Sequence, residues 1–171
     1  KLLPFSILLV SLFVGISCKS QDKKPPASPP ASVKETIKSG AEISINYGQP
    51  SVKGRTIGKD LEPKDGLVWR TGANAATVFE TSKALKINGK DLPAGKYGLF
   101  TIAGADSWTV IFNKTWSQWG AYDYKESEDA LRVSVKPGKA DPFAEKMTFT
   151  IDKSGVVTLL WGANKIAFTA E

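Results

Sequence analysis

The sequence contains no His and a single Cys. Without an imidazole it can build neither a Ser-His-Asp nor a Cys-His catalytic arrangement, because each uses His as its base. His-ligated zinc and iron sites are excluded for the same reason. One Cys closes no internal disulfide and no four-Cys metal site. No Asp-rich calcium loop occurs. Neither metal nor cofactor is therefore expected. No segment shows ten residues of clean helical period, which argues against a helical fold. The longest uncharged apolar stretch, Leu2 to Ile16, has fifteen residues. A membrane-spanning helix needs about 20. Any chemistry would have to run on carboxylates, Lys, Ser or Tyr.

What is present is the composition of a folding chain. Of 171 residues, 42% are hydrophobic and 10% aromatic, enough for one globular domain. The formal net charge is +6, but it is unevenly placed. Residues 1–39 hold six Lys against Asp22 and Glu35, so the remainder is close to balanced. The basic character thus lies beside the expected membrane anchor, where Lys is attracted to anionic lipid. The folded part does not advertise a polyanionic partner, and no nucleic-acid role is expected.

Residues 1–17, KLLPFSILLVSLFVGIS, read as a secretory signal. The first residue is Lys rather than Met, so the signal is expected to lack its start. The only Cys follows small residues at Gly15-Ile16-Ser17-Cys18, which resembles a bacterial lipobox, although Gly15 stands where Leu is usual. Cys18 is expected to be lipidated and to tether the protein to the cell envelope, facing the periplasm. Residues 18–40 read as the tether. Pro25-Pro26-Ala27-Ser28 repeats at once as Pro29-Pro30-Ala31-Ser32, a composition that favours extended polyproline II.

From Ala41 to Glu171 the dominant period is two. Ile43, Ile45 and Tyr47 alternate with polar residues, as do Leu131, Val133 and Val135, and Met147, Phe149 and Ile151. Each pattern predicts a half-buried antiparallel strand. Tyr97–Ile102 and Trp108–Phe112 are nearly continuous apolar runs, predicting central strands covered on both faces. Val156–Trp161 and Lys165–Thr169 close the chain as two further strands. Between the runs lie turn signals such as Asn88-Gly89, Pro137-Gly138 and Gly162-Ala163-Asn164. Short helical candidates lie only near Tyr124–Asp129 and Asp141–Glu145. The expected fold is all-β: an antiparallel two-sheet sandwich, jelly-roll-like, with a partly open β-barrel as the alternative.

Three segments could carry function. The first, Leu67 to Thr77, gathers Trp69, Arg70, Asn74 and Thr77 around small residues. Arg and Asn present forked donors suited to carboxylate, phosphate or sugar hydroxyl groups. The plainer reading is a buried polar corner. In the second, Trp116 to Tyr124, four of nine residues are aromatic. Exposed, it would stack against sugar rings or another flat ligand, with Gln118 and Asp123 as polar partners. Buried, it would cap the sandwich. The third, Lys53-Gly54-Arg55 with Gly58-Lys59, could hold an anion but lacks the context of a nucleotide loop, and a solvated loop is the plainer reading.

Ordered matches run through most of the domain. They include Pro50-Ser51-Val52-Lys53-Gly54-Arg55, Val68-Trp69-Arg70-Thr71-Gly72-Ala73-Asn74-Ala75-Ala76-Thr77, Leu92 to Ile102, Trp108 to Asn113, and Gln118-Trp119-Gly120-Ala121. Through them the chain resembles the bacterial family catalogued as domain of unknown function 2911. The resemblance implies an exported β-rich protein. It brings no established activity and no assigned catalytic residues. The expected function is non-enzymatic binding of a polar ligand, a glycan or an envelope protein. Arg70, Asn74 and Thr77 would supply polar contacts, with Trp116 and Trp119 as stacking surfaces. A small carboxylate-dependent glycan hydrolase and a structural subunit of an envelope complex are the alternatives.

Overall fold

The computed structural model describes residues 26–171. The expected signal at 1–17, the lipidation site Cys18 and the start of the tether lie outside the described residues. Among the described residues there are eleven strands: β1 (Pro30–Thr36), β2 (Glu42–Gly48), β3 (Val68–Trp69), β4 (Thr77–Thr81), β5 (Leu85–Ile87), β6 (Lys90–Leu92), β7 (Gly95–Ile102), β8 (Trp108–Asn113), β9 (Asp129–Val135), β10 (Gly138–Ile151) and β11 (Val156–Thr169). The main sheet runs β1-β2-β4-β7-β8-β9, with β3 paired to β7. All its pairings are antiparallel. The long β10–β11 hairpin forms the second layer, and β5–β6 is a small separate hairpin.

The two-sheet sandwich expected from the sequence is there, and the main sheet does not close into a barrel. Neighbours follow chain order, as in a meander. Jelly-roll crossings between the sheets are not seen among the described residues. Among these residues no helix is long and apolar enough to cross a membrane.

The period-two residues build the core between the layers. Ile43, Ile45, Phe79, Leu99 and Phe112 of the main sheet are buried, as are Met147, Phe149, Leu159, Trp161 and Phe168 of the hairpin. Edge-to-face rings link the two layers: Tyr47 to Phe149 at 5.0 Å, and Phe112 to Phe168 at 5.6 Å. The apolar runs β7 and β8 are covered on both faces, as expected. Phe100 and Ile111 point away from the main core and bury themselves with Ala76 under Val68, Ala121 and Tyr124.

Four segments differ from the sequence reading. The tether was expected to extend to residue 40. Instead β1 occupies Pro30–Thr36 and pairs along its length with β2, so the second Pro-Pro-Ala-Ser copy joins the sheet. Pro30 is tolerated because it opens an edge strand. The helical candidate at Asp141–Glu145 lies within β10, and the candidate near Tyr124–Asp129 shrinks to a 3₁₀ turn at Glu126–Glu128. The turn expected at Gly162-Ala163-Asn164 is a kink inside β11, where Gly162 takes φ +62°.

The loop between β8 and β9 is anchored by a polar network. Asn113, fully buried, donates from Nδ2 to Asp129 Oδ1 at 2.7 Å and to the Lys125 carbonyl at 2.9 Å. The Tyr124 hydroxyl donates to Asp129 Oδ2 at 2.7 Å, and Arg132 Nε donates to the same oxygen at 2.5 Å. Burial first, and then the bond to Asp129, push the Tyr124 phenol up to about 12, against opposing help from Arg132. The folded value lies above the ordinary one, near 10. This contribution to stability is therefore complete below about pH 10 and fades as pH rises through 12. Subtracting the ultraviolet phenolate titration of Tyr124→Phe from that of the unaltered protein should leave a curve centred near pH 12. A difference curve centred near 10 would show that the phenol is not held in this network.

Candidate functional site

The segment after β3 folds back on itself because two residues take left-handed backbone angles, Thr71 at φ 52° and Asn74 at φ 65°. The chain therefore sends neighbouring side chains in different directions. Trp69 is buried and donates from Nε1 to the Gly72 carbonyl at 3.1 Å. Thr71 is fully buried, its hydroxyl 3.1 Å from that of Thr101 on β7. Thr77 is also fully buried and donates to the Thr71 carbonyl at 2.7 Å. Thr77 was expected to contact a ligand. Its hydroxyl is instead spent on closing the loop, and it borders none of the recesses described below. This inner half of the segment is the polar corner that was the plainer reading.

Arg70 turns the other way. It borders a recess of ≈350 Å³ together with Arg55, Asp60, Glu62, Lys64 and Trp161. Most charged groups there are already engaged. Arg55 donates from Nε to the Val52 carbonyl at 3.1 Å and from its terminal nitrogen to that of Ser51 at 2.8 Å. Asp60 Oδ2 accepts from the Thr56 N–H at 2.9 Å, and Glu62 Oε2 from the Lys64 N–H at 2.9 Å. The Lys64 ammonium donates to the Lys59 carbonyl. Arg70 has no hydrogen bond or ion pair from its side chain among the described residues, and its Nε is shielded from solvent. Of the Lys53–Lys59 segment only Arg55 borders this recess, and its guanidinium is bonded to backbone carbonyls. Sequence reasoning missed Asp60, Glu62 and Lys64, which sit in a strand-free loop without a motif.

Asn74 borders this recess and a second one of ≈470 Å³. Its side chain is committed: Nδ2 donates to the Ser28 carbonyl at 3.0 Å, pinning the stretch before β1 against the loop. The second recess is walled by Pro30, Asn46, Gly48, Ala75, Ala76 and Val78 among others.

Trp116 and Trp119 lie on the far side of the same loop. With Ala75, Ala76, Val78, Ser117 and Gln118 they border a third recess of ≈360 Å³. The structure therefore does not bring Arg70, Asn74 and the two Trp into one pocket. It strings them along three adjoining recesses. Trp116 is 39% and Trp119 64% exposed, so the aromatic segment is not a buried cap. The tryptophan loop is fastened to the arginine loop by backbone bonds: Ala76 N–H to Gln118 O at 3.0 Å, and Gly120 N–H to Asn74 O at 3.0 Å. Gln118 donates from Nε2 to the Thr115 carbonyl at 2.7 Å, while its Oε1 has no partner.

Among the described residues no three His, Cys, Asp or Glu side chains gather as a metal site would require. No curated protein and no solved structure matches the chain. The sequence profile of the family described as "Protein of unknown function (DUF2911)" matches residues 28–170, which include all eleven strands and all three recesses from Ser28 onward. The chain belongs to that family.

Proposed function

We propose that the protein is an exported, membrane-tethered binding domain whose ligand presents an anionic group to Arg70. One observation carries this reading. Arg70 borders an open recess, yet its guanidinium is unpaired among the described residues while the neighbouring cations and carboxylates are engaged. Buried donors almost always have partners, and leaving one unmet costs about 1–3 kcal/mol. A ligand carboxylate or phosphate oxygen would supply the missing partner. The forked geometry of Arg suits both groups. The tether rests on the apolar run Leu2–Ile16 and on Cys18.

Two measurements test the two halves. The Arg70 Nε–H resonance should shift when D-galacturonate or inorganic phosphate is titrated in. Arg70→Ala should weaken binding of the shifting anion at least about tenfold, the scale of one charged hydrogen bond. The melting temperature should hardly change. No shift with either anion, combined with a large loss of stability in Arg70→Ala, would mean that the side chain only braces the loop. Separately, Cys18→Ser should move the protein from the membrane to the soluble fraction. Unchanged membrane retention would overturn the anchor.

A further inference from the structure

We infer that the three recesses form one trough for an acidic oligosaccharide, with a pyranose ring stacked at Trp119 and a uronate carboxylate at Arg70. This rests on the reading of Arg70 as an anion site and names the ligand class for it.

The recesses adjoin through shared walls, and the Asn74–Ser28 hydrogen bond crosses the first junction. The arginine recess and the middle one share Ser28, Ala73 and Asn74. The middle and tryptophan recesses share Ala75, Ala76 and Val78. The residues at both junctions are small or short, so an extended chain can pass from one recess to the next.

The two ends differ in chemistry. Trp69, Trp108 and Trp161 are at most 5% exposed, whereas Trp116 and Trp119 stand in solvent. Indole carries the largest apolar surface of any side chain, so two exposed neighbours mark a contact surface. Their frame is rigid. Ala75 forms a β-bridge with Trp119, and the Lys96 ammonium lies 5.3 Å from the Trp116 ring centroid. Lys96 is itself 3.5 Å from Glu80 Oε2. A platform fixed before binding loses little entropy when it is occupied. At its border Ser117 supplies a hydroxyl, while the unpartnered Gln118 Oε1 lies shielded from solvent beneath it.

A pyranose fits this combination. Its C–H face is flat and apolar and stacks on indole, while its rim of hydroxyls meets the Ser117 hydroxyl. A neutral glycan would offer Arg70 only hydroxyl acceptors, whereas a uronate carboxylate matches both its charge and its fork.

The test is calorimetric titration of the full detergent-solubilised chain with tetragalacturonate and with the monosaccharide D-galacturonate. The tetramer should bind at least about tenfold more tightly. Stacking of one flat ring on an aromatic side chain is worth that order when removed by alanine. Trp119→Ala should erase the tetramer's advantage while leaving monosaccharide affinity and melting temperature unchanged. Arg70→Ala should weaken both ligands. If Trp119→Ala binds the tetramer as well as the unaltered protein does, the trough is wrong while the Arg70 reading stands. If Arg70→Ala retains full affinity for both, the anion reading fails and the acidic glycan with it. Failure of tetragalacturonate to bind, or preference for a peptide with a C-terminal aromatic residue, would also overturn the proposal.

Discussion

Phe112→Ala should cost about 4 kcal/mol of folding stability, the upper range for truncating a fully buried aromatic ring. For a domain of this size that lowers the melting temperature by roughly 10 °C. Phe112 sits on β8 with no exposed surface and joins three rings from both layers of the sandwich. Phe79 meets it edge-on at 5.1 Å and 83°, Phe168 at 5.6 Å and 88°, and Tyr97 at 6.4 Å and 85°. Phe79 and Phe168 also face each other at 6.4 Å. Truncation removes the ring on which the others converge. The long strands on either side cannot close over the gap. A cycle combining Phe112→Ala with Phe168→Ala isolates the contact between layers. Such aromatic pairs couple by about 0.5–1.5 kcal/mol beyond area burial. Chemical denaturation of the four proteins measures both quantities. A loss under about 1.5 kcal/mol for Phe112→Ala would mean that the two layers do not meet at this ring. Trp119→Ala, at the exposed end of the trough, should by contrast leave stability within about 0.5 kcal/mol.

That contrast shows what could be read from the amino acids and what could not. Alternation exposed the strands whose two faces see different media, such as Ile43-Ser44-Ile45-Asn46-Tyr47. Continuous apolar runs exposed those covered twice, β7 and β8. β1 escaped because an edge strand needs little apolar surface. Only Ala31 and Val33 of its residues pack on the core, between Lys34, Glu35 and a preceding polyproline repeat. Gly162 was misleading for the opposite reason. A glycine with positive φ marks a turn in most places, but here it kinks a strand that continues for seven more residues. The candidate site was legible as a list of residues and not as a shape. Composition singled out Trp69 to Thr77, yet the positive φ of Thr71 and Asn74 decides which side chains go inward. Thr71 and Thr77 turn in, and Arg70 turns out. No period of two or 3.6 survives such a reversal. The recess around Arg70 also depends on Asp60, Glu62 and Lys64, brought there by an irregular loop that local pattern does not describe.

Gly48→Ala should destabilise the fold by about 3 kcal/mol, and the loss should appear first in the loop that carries Arg70. A Cβ at position 48 would stand 2.1 Å from the Ala73 carbonyl oxygen, a backbone atom with no flexible end to swing away. The same two residues share a hydrogen bond, from the Ala73 N–H to the Gly48 carbonyl at 3.1 Å. The methyl group therefore cannot be accommodated by a small rotation. It must lever the loop off the end of β2. Overpacking of this kind costs about 1–3 kcal/mol. The broken hydrogen bond adds about 1 kcal/mol. Gly138→Ala is the matched control. Its Cβ would find nothing closer than 3.8 Å, and its backbone is not left-handed, so stability should stay within about 0.5 kcal/mol. Ligand measurements separate the loop from the rest of the fold. At a temperature where Gly48→Ala remains folded, binding at Arg70 should fall, because the loop no longer holds the guanidinium against the recess. Hydrogen exchange at the Ala73 amide should quicken more than at amides of β8. If Gly48→Ala matches the control in both stability and exchange, β2 does not brace the loop. The recess would then owe its shape to the Asn74–Gly120 and Ala76–Gln118 backbone bonds on the other side.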